Sequence, residues 1–204
     1  MYCILVTGIP AAGKSTMARE LGQRLNLPVI SKDDIKELLF DEIGFRSRAE
    51  KVQLGVAAMR IMYQTAEALM TRRLPFILEN NFEHTSRDGL MEILDRHSYT
   101  AVTVTLTGDS PTIYQRFVRR NASPDRHRGH VVNNCYPEKS PQTIPPPPSL
   151  EDFVNGFAGR GMDSFTANGP RIVVDTTDFA AINMDNIVEQ ILRAKQALNP
   201  NFYV

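Results

Sequence analysis

The stretch GIPAAGKST, residues 8–16, combines residue types that bind phosphate groups. Glycines let the backbone wrap closely around a phosphate, so that successive N–H groups and a helix N-terminus point at its oxygens. Lys14 would reach the β- and γ-phosphates of a nucleotide, and the Ser15 hydroxyl would bind Mg²⁺. The predicted nucleotide-binding residues of this phosphate loop are Gly8, Ile9, Pro10, Ala11, Ala12, Gly13, Lys14, Ser15 and Thr16.

A nucleotide in such a loop can be a switch, a fuel for motion or a phosphate donor. A GTPase switch reads guanine with Asn-Lys-x-Asp, and this chain contains no Asn-Lys pair. The run Asp41–Gly44 matches the Asp-x-x-Gly switch pattern, but it ends a predicted helix instead of following a strand. Motor ATPases need a longer chain with more appended elements. We therefore predict that ATP serves as a phosphate donor.

Carboxylates follow two of the predicted strands. Asp33 and Asp34, in SKDDIKELLF, open a helix at the edge of the sheet where open α/β folds bind ligands. Glu79 lies at the exit of the strand in FILENN, residues 76–81. The alternatives are that the aspartates only cap their helix, where a carboxylate is favoured, and that Glu79 is a satisfied strand-end carboxylate.

Residues 114–130, YQRFVRRNASPDRHRGH, carry five arginines and two histidines against one acid, and we call them the arginine segment. Arg116 and Arg120 are four residues apart and so share one helix face. The alternative to a functional role is a solvated basic helix end. A metal site at His127 and His130 has no further ligands nearby in the sequence.

Strand and helix patterns alternate along the chain. Ser47 and Glu50 form a capping-box signature, Ser86 is predicted to cap a helix, and Pro111 suits a first helical turn. This alternation favours a parallel sheet covered on both faces. The predicted strands span residues 2–7, 27–31, 76–78, 101–107 and 171–174, and the predicted helices span 14–26, 33–41, 47–73, 87–97 and 183–198.

Composition narrows the function classes. A chain of 204 residues with zero net charge suggests one domain and gives no electrostatic case for binding nucleic acid or an anionic membrane. Cys3 and Cys135 lack disulfide or metal spacing, which fits a cytoplasmic protein. We find no signal peptide and no apolar stretch that could span a bilayer. Residues 136–149 contain six prolines and predict an exposed loop without helix or central strand.

The first strand with GIPAAGKST, and then SKDDIKELL, resembles the small P-loop kinases related to polynucleotide kinase. It is also similar to chloramphenicol phosphotransferase, zeta toxin and shikimate kinase. The resemblance implies that Asp33 deprotonates the acceptor hydroxyl and that Lys36 stands where polynucleotide kinase has a substrate-holding arginine. It also implies that Glu79, with Asn81 following, helps to order the acceptor or Mg²⁺, directly or through water.

The same resemblance identifies the arginine segment as a lid. It implies that Arg116 packs on the adenine, and that Arg120 and Arg126 close over the transferring phosphoryl group. The run 126–130 is similar to an Arg-His-x-Gly-His run of related kinases, so His130 is a candidate substrate contact. The candidates for base or ribose contacts, for which a turn with a helix cap is the alternative, are Asp175, Thr176 and Thr177.

We therefore expect an α/β fold: a three-layer P-loop NTPase domain with a five-stranded parallel sheet of order 2-3-1-4-5, helices on both faces and a lid. One domain should span 1–204, with the lid and the proline-rich insertion at about 116–150. The expected function is ATP- and Mg²⁺-dependent phosphorylation of a small-molecule hydroxyl. The alternatives are a polynucleotide 5′-hydroxyl kinase and a non-catalytic, nucleotide-dependent regulator that binds a partner protein. The predicted catalytic residues are Lys14, Asp33, Arg120 and Arg126.

Overall fold

The computed structural model describes residues 1–140 and 143–198, so that Pro141 and Gln142 of the proline-rich segment lie outside the described residues. Strands and helices alternate along the described chain, as the sequence predicts. The elements are β1 (Tyr2–Gly8), α1 (Lys14–Leu25), β2 (Val29–Ser31), α2 (Lys32–Glu42), α3 (Arg48–Thr71), β3 (Ile77–Glu79), α4 (His84–His97), β4 (Thr100–Thr107), α5 (Ser110–Ala122), α6 (Arg128–Val131), α7 (Leu150–Ala158), β5 (Arg171–Asp175), a 3-10 turn (Phe179–Ala181) and α8 (Met184–Leu198).

The strands form one parallel sheet in the order β2-β3-β1-β4-β5, which confirms the predicted topology. In this register Glu79 of β3 lies opposite Val6 of β1 and Ser31 of β2. Gly8, where β1 ends, lies opposite Leu106 of β4. The carboxyl ends of β1, β2 and β3 therefore meet at one edge of the sheet, where ligands bind in open α/β folds.

Alternating side chains of the sheet pack into two hydrophobic cores, one on each face. Ile4 and Val6 of β1 face a core shared with α1, α5, α7 and α8, whereas Cys3 and Leu5 face a core shared with α3 and α4. Both faces of the sheet are thus covered, which is why the central strands read as continuous apolar runs. This arrangement confirms the three predicted layers.

A smaller aromatic cluster joins the arginine segment to α2. Phe40 and Phe45 pack edge to face, with ring centroids 5.2 Å apart, and Val132 completes the buried group. Tyr136 packs on this cluster, and its backbone pairs with that of Phe45. A Cβ added to Gly129 would lie 2.3 Å from the Phe40 ring, so only glycine permits this approach.

Two sequence predictions about helices need correction. Ser86 does not cap α4, because the helix begins at His84 and the Ser86 hydroxyl accepts a hydrogen bond from the Glu83 backbone N–H at 2.9 Å. Helix α7 was not predicted at all. Its signal was present, because Ser149 caps it by accepting from the Asp152 backbone N–H and an apolar stripe follows.

The described part of the proline-rich segment forms no helix and no strand beyond the pairing of Tyr136. It rests on α5 through a hydrogen bond of 2.7 Å from the Tyr114 hydroxyl to the Pro148 carbonyl oxygen. Among the described helices, none has the length and apolar character needed to cross a bilayer.

Candidate active site

The phosphate loop connects β1 to α1 in a conformation that requires glycine at two positions. Gly8 has φ of 128°, and a Cβ there would lie 2.0 Å from the Leu106 carbonyl oxygen. Gly13, with φ of 88°, precedes the first residue of α1. The loop therefore delivers the chain directly onto a helix N-terminus, the arrangement that presents backbone N–H groups to phosphate. The remaining predicted nucleotide-binding residues of the turn are Ile9, Pro10, Ala11, Ala12, Ser15 and Thr16.

Lys14 lies buried at the base of this loop. Its ammonium donates a hydrogen bond of 2.9 Å to the Ile9 carbonyl oxygen, and the residue is 8% exposed. Burial lowers the pKa of Lys14 to about 8, against the opposing charges of Glu79 and Asp33. A polyphosphate beside Lys14 would restore a high pKa by supplying negative charge.

The two predicted carboxylates near Lys14 have different environments. Glu79 is 4% exposed and its Oε2 accepts a hydrogen bond of 2.6 Å from the Ser31 hydroxyl. Burial raises the pKa of Glu79 above its ordinary value, despite the nearby Lys14. Asp33 opens α2 at the cleft mouth, where solvent reaches it.

Basic groups surround Asp33. Desolvation opposes its negative charge, but the charges of His130, Lys36, Arg126 and Lys14 together lower its pKa below the ordinary value. Burial in turn lowers the pKa of His130, so that at neutral pH the lysines and Arg126 hold Asp33 ionised. The structure thus separates an ionised Asp33 from a Glu79 whose pKa is raised, the kind of difference that assigns separate roles to two carboxylates.

The arginine segment brings two guanidinium groups to the same place. The Nε atoms of Arg120 and Arg126 are buried and have no hydrogen-bond partner among residues 1–140 and 143–198. Burial, together with the charge of Arg126, lowers the pKa of Arg120 to about 10. An unpaired buried donor is costly, and phosphate oxygens are the acceptors that such arginines bind best.

A pair of contacts to Glu37 of α2 holds this part of the arginine segment. The Nε2 atom of His130 lies 2.7 Å from Glu37 Oε1, and Arg126 Nη1 lies 3.7 Å from the same oxygen. One turn further along α2, Asp41 Oδ1 is 3.0 Å from His127 Nε2. Glu37 was not singled out in the sequence, because a helical glutamate carries no signal of its own.

Arg116 of α5 lies against the turn that follows β5. It donates hydrogen bonds of 2.5 and 2.6 Å to the carbonyl oxygens of Thr176 and Thr177. Its guanidinium lies 4.0 Å from the ring centroid of Phe179, and that ring also covers Gly13. The sequence predictions missed Phe179, which is half exposed at the place where the resemblance implies an adenine.

The side chains after β5 are engaged within the protein. Thr176 is buried and its hydroxyl donates to the Thr107 carbonyl oxygen at 2.8 Å. Asp175 accepts from the Thr177 backbone N–H at 2.7 Å, and the Thr177 hydroxyl accepts from the Asp109 N–H at 2.8 Å. These contacts match the turn alternative, and the nucleotide contacts of these residues stay a prediction.

The structure thus brings seven of the predicted site residues together and leaves others apart. Asn81 is half-buried and its carbonyl oxygen accepts from the Thr7 hydroxyl at 2.7 Å, whereas its neighbour Asn80 lines the cleft beside α3. The convergent set is Lys14, Asp33, Lys36, Glu79, Arg120, Arg126 and His130.

The residues present fit a Mg²⁺ ion held together with phosphates. The described residues contain no cluster of three or more His, Cys, Asp or Glu side chains that could hold a metal ion alone. Mg²⁺ ordinarily takes one or two protein oxygens, several waters and substrate phosphates. Ser15, at the start of α1, and Glu79, at the end of β3, would supply the protein side of such a site.

Comparisons with known proteins agree with this fold. The profile of the AAA domain family matches residues 3–134. A candidate kinase from Chloroflexus aurantiacus is 26% identical with a TM-score of 0.76, and the match covers 95% of this chain and 97% of that one. A gluconokinase from Sinorhizobium meliloti is 17% identical with a TM-score of 0.52, and the match covers 98% and 95%. No curated protein matches this chain.

A sugar kinase from a Janibacter species, at 13% identity, has a TM-score of 0.54 over 97% of this chain and 96% of that one. These similarities confirm the predicted small P-loop kinase fold, while the subgroup that includes polynucleotide kinase stays a prediction. The family match spans the phosphate loop, both carboxylates and the arginine segment. The chain belongs to the AAA domain family.

Proposed function

We propose that the protein is a kinase that transfers the γ-phosphoryl group of ATP, with Mg²⁺, to a hydroxyl group of a small molecule. The observation that carries this proposal is the convergence of Lys14, Arg120 and Arg126 on Asp33, with both arginine Nε atoms buried and unpartnered among the described residues. A transferring phosphoryl group spreads charge over its three equatorial oxygens, and these oxygens would accept the free donors.

Asp33 would act as the base. Ionised at neutral pH, it would accept the proton of the acceptor hydroxyl while the hydroxyl oxygen bonds to the γ-phosphorus. The bond from that phosphorus to the β,γ-bridging oxygen breaks, and ADP leaves. Lys14, Arg120 and Arg126 would stabilise the charge that develops on the phosphoryl oxygens. Mg²⁺, bound by Ser15 and Glu79, would neutralise charge on the β- and γ-phosphates.

Two proteins that share the fold of this chain are named as a sugar kinase and a gluconokinase, and these names support a small-molecule acceptor. In the alternative function, a polynucleotide 5′-hydroxyl kinase, the acceptor is the 5′-hydroxyl group of a nucleic acid. The test of this alternative is ATP-dependent labelling of oligonucleotide 5′ ends, with a steep salt dependence of binding. A non-catalytic nucleotide binder would not need an ionised carboxylate beside the phosphate loop.

Asp33→Asn tests the proposal, and Asp34→Asn is its matched control. The neighbouring Asp34 faces Arg19 at 3.9 Å on the surface, with a side chain that is 62% exposed. We expect Asp33→Asn to keep ATP affinity within a few-fold, because no contact to the phosphate loop is removed. It should lose roughly 10²–10⁴ in kcat, the usual contribution of a general base.

The assay follows transfer of labelled γ-phosphate to a library of hydroxyl compounds, alongside calorimetric ATP binding and thermal unfolding. Asp34→Asn should behave as wild type in all three. Equal transfer rates for Asp33→Asn and wild type would show that Asp33 is not the base and only stabilises the helix N-terminus. Absence of ATP binding by the wild-type protein would remove the kinase proposal altogether.

A further inference from the structure

A second cleft opens beside the catalytic carboxylates, between α2, α3 and α4. It encloses about 810 Å³, and its inner end is marked by Asn80, which follows Glu79, and by Lys36, one turn after Asp33. This volume lies within the range of small-molecule pockets, roughly 300 to 1,000 Å³. The cleft therefore lies beside the first turn of α2, which carries Asp33.

The charge of this cleft is strongly unbalanced. Among the described residues that line it, four are cations and Glu83 is the one acid. Glu83 is already paired with Arg160, at 3.2 Å. The side chains of Lys32, which is half-buried, and Arg60, which is exposed, make no hydrogen bond or ion pair with any described residue. The four cations are Lys32, Lys36, Arg60 and Arg160.

The remaining walls suit a compact organic molecule. Val52, Val56 and Met59 provide an apolar side on α3, and Val52 and Val56 are each about half exposed. Thr85, on α4, adds a polar group to the lining. Burial and the charges of Lys32, Arg48 and Arg126 lower the pKa of Lys36, despite the attraction of Asp33. A bound anion would therefore stabilise the charged form of Lys36.

We propose that this cleft is the acceptor site of the proposed kinase and that the acceptor is a small hydroxylated anion, a carboxylic acid or a phosphate monoester. Its anionic group binds Arg60, with Lys32 and Lys36 beside it, and its hydroxyl group faces Asp33. This assignment rests on the proposed kinase function. Guanidinium and ammonium groups that lack partners select an anion, because a neutral polyol would leave their charges uncompensated.

A nucleic-acid strand fits the cleft less well. A strand needs a basic track that follows several phosphates, whereas these cations surround one pocket in a chain of zero net charge. The apolar side on α3 also offers no aromatic side chain on which a base could stack, apart from Tyr63, whose hydroxyl donates to the Ser86 carbonyl oxygen at 2.9 Å.

The test compares matched probes in the presence of Mg²⁺ and a saturating non-hydrolysable ATP analogue, which keeps free anions away from the phosphate loop. The pairs are D-gluconate with D-sorbitol and glycerol 3-phosphate with glycerol, so that each pair differs mainly in the anionic group. Binding is measured by calorimetry and by ligand-observed NMR. The two pairs distinguish a carboxylate site from a phosphate site, and a single-stranded oligonucleotide completes the set.

We expect the anionic member of at least one pair to bind at least tenfold more tightly than its neutral partner. Arg60→Gln should weaken that binding by roughly 10- to 100-fold, as expected for a lost hydrogen bond between charged groups, while leaving affinity for the ATP analogue unchanged. Arg60→Lys should keep most of the affinity. Arg193→Gln is the control, because Arg193 lies on α8 with a side chain that is 72% exposed.

Three results would overturn the assignment: equal binding of neutral and anionic members, tighter binding of the oligonucleotide than of every small anion, or no anion binding while the analogue is bound. The first and third results leave the kinase proposal standing, because the analogue still occupies the phosphate loop, whereas tighter oligonucleotide binding would favour the polynucleotide kinase alternative. Failure of the analogue itself to bind would instead refute the proposed function.

Discussion

Nucleotide binding should be coupled to proton uptake at Lys14. Burial lowers the pKa of this ammonium to about 8 in the free protein. Beside nucleotide phosphates, the pKa should rise to at least the ordinary lysine value of about 10.4. The pKa is higher in the bound state, so affinity is greatest below pH 8 and falls as the pH rises through the free-state pKa.

The size of this effect follows from the two pKa values. At pH 7 Lys14 is about 90% protonated, and binding is almost independent of pH. At pH 8 about half a proton should be taken up for each nucleotide bound, and at pH 9 about nine-tenths. The apparent dissociation constant should therefore increase about tenfold between pH 7 and pH 9.

Calorimetric titrations with an ATP analogue and Mg²⁺, in buffers of different ionisation enthalpy, measure both quantities. Lys14→Met should bind weakly and without this pH dependence. Lys51→Met is the control, because burial also lowers the pKa of Lys51 to about 8 but Lys51 lies away from the phosphate loop, against residues 130–133. Constant affinity between pH 7 and 9 with no proton uptake would refute the reasoning.

Two further predictions concern the arginine segment. Arg126→Met should change the thermal stability of the free protein little, because removal of the buried, unpartnered Nε donor offsets the loss of the 3.7 Å contact to Glu37. It should nevertheless slow phosphoryl transfer by at least about 10²-fold, and parallel melting and transfer assays check both effects. Lys51→Met should reduce the free energy of unfolding by about 1–3 kcal/mol, because it leaves the buried carbonyl oxygens of His130 and Val132 without their donor. Denaturant titration measures this loss, and an unchanged unfolding midpoint would contradict the structural role of Lys51.

Much of the fold could be predicted because its signals are local. The apolar run of β1 followed by the phosphate loop determines where the sheet and the first helix meet. Helix α7 was missed because six preceding prolines hid a short element whose only marks were Ser149 and an apolar stripe. Ser86 was misplaced because a hydroxyl that bonds to its own first turn resembles a cap in the sequence.

The candidate site likewise contains residues that could be predicted from the sequence and residues that could not. Lys14, Asp33 and Glu79 were predictable because each directly follows or closely follows a strand end. Glu37 was not, because its partners Arg126 and His130 lie far along the chain. Arg60 and Arg160 were not, because they lie far in sequence from Lys36, which was predicted, and line the same cleft only through packing of α2, α3 and α4. Arg60 carries no motif, and its significance depends entirely on the absence of a partner among the described residues.

Helix α2 has a consequence for motion in this protein. Its first turn carries Asp33, and its later turns hold the arginine segment through Glu37, Phe40 and Asp41. A hydrogen-bonded helix moves as a rigid unit, so α2 would couple the position of Asp33 to that of the arginine segment. Any opening that carries Arg126 outward must break these contacts or pull the helix with it. The carboxylate that would accept the proton and the guanidinium groups that would hold the phosphoryl group are thus connected through α2. Asp41→Ala should weaken this connection without altering Asp33 or Arg126.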